Sequence, residues 1–183
     1  SLANRRGFRK KHRQRRKFPA EQRGNTQKMP NNIDVRCNND GEYRDWMVNV
    51  APFVQTVLDK LGLDRWELSV MFCRDDYIAE LNKQYRSIEG PTDILSFEQG
   101  DEYVGDDNET WFTAGDLVIS IDSLADNAKQ FSVSENEELK RLLIHGILHL
   151  NGMDHTTNDT DEEMLQVQEK ILAGFSGEVI IKD

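Results

Sequence analysis

The sequence predicts an α+β fold, a small mixed β-sheet of about four strands with helices packed against it. Three observations carry this expectation. Short segments that alternate apolar and polar residues recur between longer segments whose apolar residues fall at helical spacing. Glycines and helix-capping residues stand where one period gives way to the other. At 183 residues the chain suits one domain with length enough to bury a proper core, and it holds no internal repeat.

The elements follow in order. Ile33-Asp-Val-Arg-Cys37 alternates and runs into Asn-Asn-Asp-Gly, a strand ending at a turn. Residues 43–61 carry Trp46, Val50, Phe53, Val54, Val57, Leu58 and Leu61 on one helical stripe, which stops at Gly62. Residues 67–73 alternate as a second strand, and Asp75 or Asp76 is placed to cap a short helix running to Tyr85. Pro91 ends the next loop and residues 93–97 resume as a strand. Residues 99–113, rich in acids and holding two glycines, read as a long loop or hairpin. Residues 117–121 form a fourth strand, and Asp122 caps a helix to about Phe131. Ser134-Glu-Asn-Glu137 is a capping box that opens a further helix. Asp159 begins the final helix, and residues 178–181 read as a last edge strand.

The charge is divided. The net charge is −10, but residues 1–28 hold eleven Lys/Arg against the single acid Glu21. The remaining 155 residues therefore have twelve Lys/Arg against thirty-two Asp/Glu, or −20. The head lacks an apolar core pattern and is expected to be disordered, leaving residues 29–183 as the single folded domain. Asn4-Arg-Arg-Gly-Phe-Arg-Lys has the paired arginines of an export signal, but no apolar run follows, so export is rejected. Two readings of the head stay open: an RNA-binding arm, or sequence upstream of a native start at Met29, which intact mass from the native host would separate. No stretch of 18 apolar residues is present, so no membrane span is expected. Cys37 and Cys73 sit in apolar segments without a nearby partner, as in a reduced, cytoplasmic protein.

The chemistry concentrates in His145-Gly-Ile-Leu-His149-Leu-Asn-Gly152-Met-Asp-His155, which holds three of the four histidines in the chain. His145 and His149 lie one helical turn apart and point the same way. Gly152 permits a left-handed helix exit that swings His155 back toward them. Three neutral imidazoles converging on one point make an open metal site, with zinc the default ion, nickel or cobalt as other divalent ions that accept three imidazoles, and a fourth position left for water. The spacing resembles the metzincin protease signature H-E-x-x-H-x-x-G-x-x-H, except that Gly146 stands where that pattern has its catalytic Glu. Glycine supplies no general base, which weakens a peptidase reading at its centre.

The same stretch resembles the YbeY family of bacterial metallo-endoribonucleases, whose signature H-G-x-L-H-L-x-G-x-D-H is met at every fixed position, Asp154 included. Tyr85-Arg86-Ser-Ile-Glu-Gly-Pro91-Thr92-Asp93-Ile-Leu95-Ser96-Phe97 is similar to that family's arginine-spacer-P-T-D-V-L-S-F segment. Gly115-Asp116-Leu-Val-Ile-Ser is similar to its G-D-I-V-I strand, and Glu163 to Leu172 to its last helix. The resemblance covers about residues 29 to 175. It implies single-strand-specific RNA cleavage in maturation of the 3′ end of small-subunit (16S) ribosomal RNA and in ribosome quality control. It also implies one zinc on His145, His149 and His155, and a functional arginine at Arg86.

Roles follow from chemistry. The planar, permanently charged guanidinium of Arg86 suits a phosphate and the charge that develops on it. Asp116, at the head of a strand, is a candidate base or orienter. Asp154, adjacent to His155, suits a helix-exit or supporting role, and Asp93 an Asx-type turn; Ser96 has no assigned role. Leu142, Leu143, Ile147, Leu148 and Leu150 are core. An RNA groove on so acidic a body would have to concentrate the few cations, such as Lys83, Arg86, Lys140 and Arg141. The expected reaction is metal-assisted phosphodiester hydrolysis, with attack by the RNA 2′-OH as the alternative route. Two competing functions remain at this level: a metzincin-like metallopeptidase, and a non-catalytic ribosome-assembly factor whose metal is structural.

Overall fold

Residues 30–39, 42–159 and 162–182 are described by the structure, a computed structural model. The expected basic head, residues 1–28, lies outside them. The elements are β1 (Asn32–Cys37), α1 (Val50–Lys60), β2 (Trp66–Cys73), α2 (Asp75–Arg86), β3 (Ile94–Val104), β4 (Thr110–Ser120), α3 (Ile121–Gln130), α4 (Glu135–Leu150) and α5 (Glu163–Gly174). They make a four-stranded sheet in the order β1-β2-β4-β3, with β1, β2 and β4 parallel and β3 antiparallel to β4 at one edge. The α+β expectation holds.

The pleat divides the sheet residues between two faces. Leu68, Val70 and Phe72 of β2 and Leu117 and Ile119 of β4 join the buried residues of α1, α4 and α5 in the main core. Val118 and Leu95 turn the other way and pack with Ile78 of α2 in a smaller cluster. Helix α4 approaches the sheet closely because position 146 has no side chain. A Cβ there would stand 2.7 and 2.8 Å from the two methyls of Leu117 and 3.0 Å from Ile94 Cδ1.

Several expected boundaries differ, each for an identifiable reason. The helix expected over residues 43–61 is a 3-10 helix (Asp45–Asn49) followed by α1. Pro52 fits the first turn of α1 but cannot bond back into a preceding α-helical turn. Residues 99–113 are a hairpin, because β3 continues to Val104 and pairs with β4 from Thr110 onward. Neither Asp75 nor Asp76 caps α2. The backbone N–H of Asp75 donates instead to Asp122 Oδ2 at 3.0 Å, and Arg74 Nε donates to the same carboxylate at 2.9 Å. Asp122 is thus spent on α2, and Ser120 caps α3 by accepting from the Ser123 N–H. Helix α5 begins at Glu163 rather than Asp159. Residues 178–181 form no strand: the N–H groups of Ile180 and Ile181 donate to Asn136 Oδ1 at 2.7 and 3.1 Å, and both side chains are buried. Among the described residues no helix is long and apolar enough to cross a membrane.

Candidate metal centre

Helix α4 starts where Ser134 Oγ accepts from the Glu137 N–H at 3.0 Å, and Glu135, Glu137 and Glu138 in its first turn favour the helix dipole. Leu142, Leu143, Ile147, Leu148 and Leu150 are all buried, as expected. That packing fixes the rotation of the helix and leaves His145 and His149 half-buried on the opposite side. Their Nε2 atoms are 3.1 Å apart.

The exit from α4 is set by backbone hydrogen bonds. Gly152 N–H donates to His149 O at 2.9 Å and Met153 N–H to Leu148 O at 3.0 Å, with Gly152 at φ +87°. This is a Schellman turn, and its left-handed residue is why glycine stands there. Met153 packs against the main core beyond the turn. Two residues on, His155 is returned to the other two rings, with centroids 5.2 Å from His145 and 5.4 Å from His149. One ligand-capable atom from each of the three residues lies within 4.8 Å of the other two.

The donor set fits a metal ion. Nitrogens about 2.0–2.1 Å from one tetrahedral zinc are about 3.4 Å apart, close to the spacing found here between His145 and His149. His145 Nδ1 is 2.6 Å from Gln168 Oε1, and His155 Nδ1 is 2.8 Å from Thr157 O. Both partners only accept, so both Nδ1 atoms donate and each Nε2 keeps its lone pair. Burial pushes the His145 pKa below the usual imidazole range, with the Gln168 bond opposing it. His149 is pushed down to about 4 by burial and by His145 and His155, while Asp154 and the Met153 backbone act the other way. Both rings are therefore neutral at neutral pH, the state a metal requires.

These rings open onto a cavity of about 590 Å³ walled by α4, α5, β3, the end of α2 and the loop carrying His155. Arg86 lines it from the last turn of α2, exposed, with no hydrogen-bond or ion-pair partner among the described residues. The other cations expected to serve RNA are committed. Lys140 is buried and donates to Phe175 O and Glu178 O, Arg141 is held by Glu138 and Glu169, and exposed Lys83 pairs with Glu89.

Asp116 is not brought to this centre. It pairs in register with Phe97, next to Leu117, and the pleat turns it to the sheet face opposite α4. There it accepts from Ser69 Oγ and lines two other recesses. Asp93 Oδ1 accepts from the N–H of adjacent Ile94 at 2.7 Å, one residue short of the bond an Asx-type turn makes, and its second oxygen accepts from Asn127 at 3.0 Å. Asp154 accepts from the His155 N–H at 2.8 Å and steadies the loop.

Sequence reasoning missed three wall residues. Ser96 faces the cavity because it shares the α4 side of β3 with Ile94, an alternation open to reading. Glu138 lies two helical turns before His145 on the same side of α4. Its burial raises its carboxyl pKa against the opposing pull of Arg141. Gln168 interrupts the buried stripe Met164, Ile171, Leu172 of α5, and that lone polar residue was a legible signal.

Comparison with known proteins adds a family to this geometry. A family model described as Endoribonuclease YbeY matches residues 31–176. A Treponema denticola protein named Endoribonuclease YbeY is 53% identical over 147 residues, covering 80% of this chain and 95% of the relative. A protein of that name from Treponema pallidum (strain Nichols) is 51% identical over 128 residues, covering 70% and 80%. One from Borrelia turicatae is 46% identical over 132 residues, covering 72% and 86%. Among solved structures, the solution structure of a Thermotoga maritima protein matches with a TM-score of 0.54 at 26% identity, covering 79% of this chain and 89% of that one.

Proposed function

The chain belongs to the Endoribonuclease YbeY family, and from that premise we propose that it is a zinc-dependent endoribonuclease cutting single-stranded RNA. The substrate we assign is the 3′ region of small-subunit ribosomal RNA, met on the ribosomal small subunit in the cytoplasm. The observation that carries the reading is the convergence of His145, His149 and His155, two of them with Nε2 lone pairs freed by Nδ1 bonds, in an open cavity that Arg86 also lines. Zinc bound by these three residues supplies Lewis-acid activation of water and of a phosphoryl oxygen.

What the chain's own residues do can be derived. Arg86 presents a fixed positive charge with several donors to the phosphate, and it neutralises the charge that grows there as the P–O bond breaks. Among the described residues it has no ion-pair partner to give up when it meets the phosphate. Neutral His145 and His149 bring no positive charge that would repel the ion. Asp154 restrains the loop that carries His155.

The position that weakened the peptidase reading has a structural explanation. Gly146 faces the sheet, and Leu117 and Ile94 fill the space a side chain would need. A glutamate there would have to displace core, so the position offers no general base. The related proteins carry an endoribonuclease description, which gives the peptidase alternative no support.

The experiment is cleavage of a single-stranded ribosomal RNA 3′ fragment by zinc-loaded protein, beside His145→Ala and Arg86→Ala preparations of matched melting temperature. Wild type should cut and both variants should fail. Equal cutting by all three would assign the activity to a contaminant. One zinc per chain without any cutting would favour the assembly-factor reading.

A further inference from the structure

Gln168 is the lone polar side chain among the buried residues of α5, with 5% of its surface exposed. A buried carboxamide is costly unless both its ends are paired, so its partners show what holds it there. Its Oε1 lies 2.6 Å from His145 Nδ1, and its Nε2 donates to Glu169 Oε1 at 3.3 Å. The second contact fixes which end of the amide faces the imidazole, because a carboxylate accepts only from the NH₂ end. Glu169 is itself held by Arg141 Nε at 2.8 Å, and Arg141 Nη1 donates to Glu138 Oε2 at 3.0 Å. A continuous line of hydrogen bonds therefore runs from buried Glu138 through Arg141, Glu169 and Gln168 to one of the three converging histidines.

We infer that Gln168 is a positioning residue for the metal. Its carboxamide oxygen holds His145 in the Nδ1–H tautomer and fixes the ring plane, so that Nε2 meets the ion as a ready lone pair. The Arg141–Glu169 pair keeps the amide from turning over. Without the acceptor, the ring divides between two tautomers and rotates, and metal binding has to reverse both. A glutamate there keeps the acceptor for His145 but loses the N–H that Glu169 takes, so it should serve in part, while an apolar side chain should not serve. This inference rests on the metal reading above and adds to it the residue that prepares the site.

The test uses the full chain and three preparations: wild type, Gln168→Leu, which keeps bulk but removes the acceptor, and Gln168→Glu, which keeps an acceptor. Zinc affinity is read by competition with a chromophoric chelator at one pH. The ring nitrogens of His145 are read by ¹⁵N NMR of the metal-free protein. The expected results are an Nδ1–H pattern for His145 in wild type and mixed tautomers in Gln168→Leu. Zinc affinity should fall by about 10–100-fold in Gln168→Leu and by less in Gln168→Glu, which keeps the acceptor for His145 but loses the N–H that Glu169 takes. An Nε2–H pattern in wild type, or zinc held as tightly by Gln168→Leu as by wild type, would overturn the inference. Should Gln168→Leu fail to fold, the wild-type ring pattern still decides it. Wild-type protein that takes up no zinc would bring down the metal reading itself, a result distinct from a variant that binds as well as wild type.

Discussion

At the scale of single residues, the imidazoles tie stability to pH with a definite sign. Burial holds His149 near pKa 4 against an ordinary 6.5. Between those values the unfolded chain takes up a proton that the folded chain refuses. The metal-free fold should therefore lose stability as pH falls from about 6.5 to about 4, with no loss from this group above that window. Urea midpoints of metal-free protein across that range check it, and His149→Gln should flatten the dependence. Arg86 and Asp116 give a second, paired prediction. Arg86→Ala should lower kcat/KM by roughly 100-fold with the melting temperature unchanged, since the side chain is exposed and has no partner among the described residues. Asp116→Asn should leave kcat/KM within about twofold, because that carboxylate lies across the sheet from the cavity.

Among the elements, α4 carries the most weight, and its seat on the sheet depends on Gly146. Gly146→Ala gains up to about 1 kcal/mol of helix propensity but overpacks Leu117 and Ile94, a cost of about 1–3 kcal/mol. The net should be a loss in the denaturant midpoint, and Leu117→Ala should cost less in that background than in wild type, a coupling that a double-mutant cycle measures. This helix was readable from sequence because its signals are local: the Ser134 cap, the apolar stripe, the histidines one turn apart and the glycine at its exit. What stayed unreadable was set by distant partners. Asp122 caps α2 across 47 residues, so proximity in sequence pointed to Asp75 or Asp76 instead. Residues 178–181 looked like a strand by composition, but Asn136, some 44 residues earlier, takes up their N–H groups. Asp116 was placed at the head of a strand, and only the register with Phe97 decides which face it occupies.

For the molecule as a whole, charge limits how RNA can be held. The domain from residue 29 onward carries −20, and of the cavity's two lining Arg/Lys side chains Arg141 is spent on Glu138 and Glu169, leaving Arg86, which has no partner among the described residues. Each phosphate contact contributes about 0.7 to the slope of log affinity against log salt on single strands. A chain starting at Met29 should therefore show a shallow slope. If residues 1–28 form an RNA-binding arm, the full chain should show a steeper one, and equal slopes would assign the head no RNA contact. The central claim is that one metal, held by three histidines, makes this domain a ribonuclease. The direct measurement is cleavage of an end-labelled single-stranded ribosomal RNA fragment by chelator-stripped protein, before and after one equivalent of zinc is returned. Stripped protein should be inactive, zinc should restore internal cutting, and His145→Ala should stay inactive under both conditions. Undiminished cutting by the stripped protein, or by His145→Ala, would contradict the claim.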